Sequence, residues 1–64
     1  MPRISLAAAR VNAKLTQREL AEKLEVSQTT INNWENGVSE PSLSQLRKIS
    51  ELSGIPMDFL FVEK

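Results

Sequence analysis

Residues 16–37 read TQRELAEKLEVSQTTINNWENG, and this stretch decides the fold. It divides into two short helical segments, each with its own start signal. Thr16 is placed to cap the first, with Glu19 three residues on completing a capping box. There the hydroxyl takes one orphan backbone N–H and the carboxylate takes another. Leu15 before the cap and Leu20 five positions later form a hydrophobic staple that sets the entry angle of the chain. Ser27 caps the second segment, and Val26 with Ile31 repeats the staple. Gly37 ends it, where a left-handed residue is usually required. Between the two, Leu24-Glu25-Val26-Ser27 leaves room only for a tight turn.

The second segment carries an unusual outer face. At 100° per residue, Gln28, Thr29, Asn32, Asn33 and Asn36 share one arc of about 140°. Ile31, Trp34 and Glu35 fall on the other side. A solvent-facing helix normally carries Glu and Lys, which are soluble and good helix formers. This arc holds only amides and a hydroxyl. Asn and Thr each cost roughly half a kcal/mol against Ala inside a helix, so local stability does not select them. Amides and hydroxyls do read base edges in the DNA major groove, where Gln or Asn pairs with adenine through two hydrogen bonds.

Sixty-four residues make one domain, 1–64, near the lower limit for folding without disulfide or metal staples. Cysteine and histidine are both missing, so a disulfide, a thiolate or imidazole metal site and a His-based catalyst are not expected. That composition suits a reducing cytosol, and a cytoplasmic location is expected. The longest apolar runs, Leu6–Ala9 and Phe59–Val62, are far too short to span a membrane. Eight basic and eight acidic residues cancel, a balance that weighs mildly against nucleic-acid binding. The charges are nonetheless polarised: residues 1–24 hold five basic against two acidic, a net of +3, and residues 25–64 hold three against six, a net of −3.

Outside the central stretch, Ser5 is a plausible cap for a first helix running to about Ala13. Leu6, Ala9, Arg10 and Ala13 make its core-facing stripe. Arg10 is then a charge on an apolar face and needs a partner. Glu35, one turn beyond Ile31, is the mirror case, and the two are expected to pair. Val38-Ser39-Glu40-Pro41 reads as a loop. Ser42 with Gln45 opens a fourth helix whose Leu43, Leu46, Ile49 and Leu52 face the core, and Gly54 stops it. Ile55-Pro56 starts a short last helix carrying Met57, Phe59, Leu60 and Phe61. No strand-like alternation, repeat or low-complexity tract appears. The expected fold is all-α, five short helices around one core, with Trp34 among the largest fillers. So small a core cannot easily cover every apolar residue at the end. Phe59, Phe61 and Val62 are therefore candidate contacts for a weak self-association.

LTQRELAEKL, SQTTINNWENG and PSLSQLRKIS together closely resemble the phage repressor and Cro type of helix-turn-helix regulator, over about Ile4 to Phe61. The most specific parts are Thr16-Gln17, Glu19-Leu20-Ala21 and Trp34-Glu35-Asn36-Gly37. The resemblance makes helices 2 and 3 the motif, with recognition helix 28–36 in the major groove of double-stranded DNA. It implies base contacts from Gln28, Thr29 and Asn33, with Asn32 sharing their face. It implies a phosphate contact from Gln17, which can also brace Gln28, and others from Asn36 and the Gly37–Val38 backbone. Arg18, beside Gln17, and the N–H groups behind the Ser27 cap are further phosphate candidates. Several phage repressors join the first and third helices by an Arg–Glu pair, as expected here for Arg10 and Glu35. Lys14 and Glu25 stand where many relatives have Gly. Val38 and Glu40 follow the reading helix where some relatives have Lys or Arg, which implies weaker phosphate attraction.

The expected activity is sequence-specific DNA binding by a small transcriptional regulator, more often a repressor. It is expected to act as a homodimer on a palindromic operator, since one domain reads only a few base pairs. No nucleophile–base pair, metal cluster, phosphate loop, cofactor site or small-molecule site is evident, so no enzyme is expected. The rival readings are a protein-interaction module or an antitoxin that keeps the same helices.

Overall fold

The computed structural model describes residues 3–61, with the side chain of Phe61 outside that description. Val62 also lies outside the described residues. In chain order the elements are β1 (Ile4–Ser5), α1 (Leu6–Asn12), α2 (Gln17–Leu24), α3 (Gln28–Glu35), α4 (Leu43–Ser53), a 3-10 turn (Met57–Phe59) and β2 (Leu60–Phe61).

Local chemistry accounts for each helix boundary. Ser5 accepts from the Ala8 N–H at the start of α1. Thr16 and Glu19 form the complete capping box of α2, and Ser42 with Gln45 forms that of α4. Ser27 accepts from the Thr30 N–H to open α3. Two non-glycine residues adopt the left-handed conformation between helices: Lys14 at φ 62° and Glu25 at φ 58°. Glu25 closes α2, turning its N–H back to the carbonyls of Ala21 and Glu22.

The core is Leu6 and Ala9 of α1, Leu20 and Ala21 of α2, Ile31 and Trp34 of α3, Ile49 of α4 and Leu60 of β2. Leu15 and Val26, the outer halves of the two staples, pack half-buried against it. Each fully buried Leu or Ile contributes about 1.5–3 kcal/mol relative to exposure. Asn12 ties the end of α1 to the end of α4 through its amide on the Ser53 carbonyl, 3.1 Å.

Two expectations are corrected. Among the described residues there are four α-helices, not five. The last helix is a single 3-10 turn, after which Leu60–Phe61 becomes extended and pairs in parallel with Ile4–Ser5. Met57-Asp58-Phe59-Leu60-Phe61 has no periodicity that separates helix from strand, and its partner lies at the other end of the chain. The pair is two residues on each side, so the fold remains an all-α helix-turn-helix. The other correction concerns Leu43, which is 64% exposed. At 100° per residue it lies about 120° around α4 from the buried Ile49, beyond the core-facing stripe.

Candidate nucleic-acid interface

α3 is pinned by Ile31 and Trp34, which are 1% and 3% exposed. Burying those two turns the opposite side outward, so Gln28, Thr29, Asn32 and Asn36 are exposed and Asn33 half-buried. Gln17 of α2 joins Gln28, Thr29 and Asn32 around one shallow recess. The structure thus brings Gln17 and three of the four expected base-reading residues together.

Glu35 sits at the inner edge of this surface, its side chain 8% exposed, and Arg10 of α1 reaches it at 17%. Arg10 Nε donates to Glu35 Oε2 at 2.7 Å, and Nη2 donates to Oε1 at 3.4 Å. The third arm of the guanidinium, Nη1, donates to the Leu15 carbonyl at 2.9 Å. The Leu15 N–H in turn donates to the Arg10 carbonyl at 3.2 Å. Arg10 therefore holds both backbone groups of Leu15, the residue that staples α2. A separation of five residues carries no sequence signal for that contact, and sequence reasoning missed it.

Gln17 differs from expectation. Its Nε2 donates to Glu35 Oε1 at 3.0 Å and to Asn32 Oδ1 at 3.4 Å, so it braces these two residues and not Gln28. An amide nitrogen has two hydrogens, and these two acceptors engage both. A phosphate accepts hydrogen bonds, so the remaining Gln17 carbonyl is unsuited to it. The Gln17 and Arg18 backbone N–H groups lie in the first turn of α2, where helices leave such donors without internal partners.

The Val38 N–H already has a partner within the chain. It donates to the Asn33 carbonyl at 2.9 Å, and the N–H of Gly37 to that of Trp34 at 3.3 Å. This is the Schellman closure of α3, and it consumes the donors expected to meet a phosphate. The Asn36 amide donates to the Asn32 carbonyl at 3.0 Å, which uses one of its two hydrogens. Ser27 Oγ is occupied as a cap and by Thr30 Oγ1 at 2.9 Å, leaving the Gln28 and Thr29 N–H groups at the helix start. Arg18 is exposed on α2.

Of the apolar residues at the chain end, Phe59 is half-buried. The Phe61 side chain and Val62 lie outside the described residues. Among those described, the most exposed apolar side chains are Val11, Val38 and Leu43.

A helix-turn-helix family model matches residues 6–60. The chain belongs to that family, in its phage repressor and Cro branch. This helix-turn-helix domain is 41% identical over 51 residues to the HTH-type transcriptional activator BcrR of Enterococcus faecalis, covering 80% of this chain and 25% of BcrR. It is 36% identical over 55 residues to the HTH-type transcriptional regulator ImmR of Bacillus subtilis, covering 86% of this chain and 43% of ImmR. An uncharacterized HTH-type transcriptional regulator of Methanocaldococcus jannaschii is 42% identical over 48 residues, covering 75% of this chain and 73% of that protein. The helix-turn-helix chain thus spans less than half the length of BcrR and ImmR. No solved structure matches it. No helix among its described residues is long and apolar enough to cross a membrane.

Proposed function

We propose that this domain is the sequence-specific, double-stranded DNA-binding module of a transcriptional regulator, with α3 lying in the major groove. One observation carries the reading: α3 turns an uncharged row of amides and a hydroxyl outward, on a helix whose opposite side is locked into the core. Gln28, Thr29, Asn32 and Asn33 contact base edges. The phosphates are met by the Gln17 and Arg18 N–H groups, the Arg18 guanidinium, the N–H groups behind Ser27 and the second hydrogen of the Asn36 amide. Names of relatives support the class, since BcrR and ImmR are both HTH-type transcriptional proteins. Two copies on a palindromic site are proposed, because one α3 reads only a few base pairs. Repression is the simpler outcome for a domain that occupies DNA. BcrR is named an activator, so a reporter carrying the selected site must read the sign. The zero net charge favours the rival protein-interaction module and implies low non-specific affinity.

Enrichment of random duplexes on the purified domain, followed by sequencing, tests the reading. Gln28 opens α3 and points furthest into a groove entered by the helix N-terminus. Gln28→Ala should cost about 1–3 kcal/mol on the best site and relax preference at one base pair. Arg18→Ala should weaken all sequences alike and lower the salt slope by about one. If no sequence is enriched, or Gln28→Ala leaves every preference unchanged, α3 is not the reader.

A further inference from the structure

We infer that Gln17 and Glu35 act through Asn32, fixing its amide so that it presents only a donor to DNA and selects guanine. This rests on the DNA-binding reading above and deepens it. The Arg10 guanidinium can only donate, and the Glu35 carboxylate paired with it can only accept. Glu35 Oε1 faces the Gln17 amide at 3.0 Å, so the Gln17 group there must be NH2. The same NH2 lies 3.4 Å from the Asn32 amide, so the Asn32 atom facing it must be the oxygen. A second NH2 in that place would set donor against donor.

Polarity thus passes from Arg10 to Glu35, Gln17 and Asn32, through a last link of 3.4 Å. The Asn32 oxygen is turned toward Gln17, and its NH2 is left for the recess shared with Gln28 and Thr29. Reading adenine by two bonds requires oxygen and nitrogen side by side on the base. Asn32 does not offer that arrangement. Of the edges that present acceptors and no donor, guanine offers two, N7 and O6, and thymine only O4 beside its methyl group, so a lone NH2 fits guanine best. Gln28, which makes no such contact with Gln17, keeps both amide groups for its base. Two amides four residues apart on one helix are therefore assigned different bases.

The test compares duplex enrichment by wild type, Asn32→Ala, Asn32→Asp and Gln17→Met. Asn32 is exposed, so its variants keep the fold, and the emission of the buried Trp34 checks Gln17→Met. Wild type should prefer guanine at one base pair by roughly fivefold or more. Asn32→Ala should lose that preference. Asn32→Asp still accepts from Gln17 but turns an acceptor outward, and should shift the same position toward cytosine, whose N4 donates. Gln17→Met should admit adenine there and leave the base pair of Gln28 unchanged. Adenine preferred by wild type at the position that depends on Asn32, or no change with Gln17→Met, overturns the inference alone. A wild type that enriches nothing overturns the DNA reading and this inference with it. Side-chain amide NMR of the free protein gives a measurement independent of DNA: the Gln17 NH2 protons should exchange more slowly than those of Asn32, and the reverse order overturns the assigned polarity.

Discussion

Replacing Glu35 with alanine removes the acceptor on which three donors converge: Arg10 Nε at 2.7 Å, Gln17 Nε2 at 3.0 Å and Arg10 Nη2 at 3.4 Å. The Arg10 side chain is only 17% exposed, so water cannot replace all that is lost. Its guanidinium would keep one protein acceptor, the Leu15 carbonyl. Breaking a largely buried ion pair by deleting one partner costs about 3–5 kcal/mol. A domain of this size has a total stability of about 3–10 kcal/mol, at about 0.05–0.15 per residue. Glu35→Ala should therefore remove about a third of the stability at the least, and at the low end of that range all of it, and lower Tm by at least about 12 °C. Replacing both charges, as in Arg10→Met with Glu35→Leu, should cost far less, because neither is left buried alone. Urea unfolding followed by the fluorescence of Trp34, the single tryptophan, supplies the numbers for wild type, the two single alanine variants, their double, and the Met/Leu double. If Arg10→Ala and Glu35→Ala each cost a few tenths of a kcal/mol and add together in the double variant, the pair does not hold the helices as described.

Glu25 occupies the left-handed region at φ 58°. Glu25→Gly should relieve about 1 kcal/mol of backbone strain, offset in part by the entropy glycine gains when unfolded, and a clearly lower Tm would contradict it. Glu19 accepts the Thr16 N–H at 2.9 Å, and that bond, helped by the Thr16 hydroxyl, holds its carboxyl below the ordinary value of 4.5; the Glu19 N–H in return donates to the Thr16 hydroxyl and completes the box. The unfolded chain then takes up the proton more readily. The contribution of the capping box is present above 4.5 and is lost as pH falls through the lower folded value. A carboxyl NMR titration that finds Glu19 at or above 4.5 contradicts it.

The most legible parts of the molecule are the helix starts, whose partners stand three residues apart. Thr16 with Glu19 and Ser42 with Gln45 state their capping boxes in sequence, and both form. The outward amides of α3 follow from the positions of Ile31 and Trp34 alone. The Arg10–Glu35 contact could be reached because each charge broke an apolar stripe. Other contacts were not legible, for definite reasons. Gln17 faces Asn32 and Glu35 instead of Gln28 because a carboxylate captured its amide, and three-dimensional competition of that kind leaves no local trace. Val38 looked available because a backbone N–H has no letter in the sequence; the closure of α3 consumes it. The end of the chain was misread as helix because Leu60 and Phe61 take their conformation from Ile4 and Ser5, more than fifty residues away.

That last pairing has a mechanical consequence. Because β1 and β2 run parallel, tension applied before Ile4 and beyond Phe61 drives the two strands past one another along their length. The hydrogen bonds between them are then loaded together, in shear. An antiparallel pair pulled from the same two ends would peel open one bond at a time. The domain thus meets end-to-end stretching through a two-residue clasp in its more resistant direction. Force carried by polypeptide joined at either end reaches the helices only after that clasp has slipped.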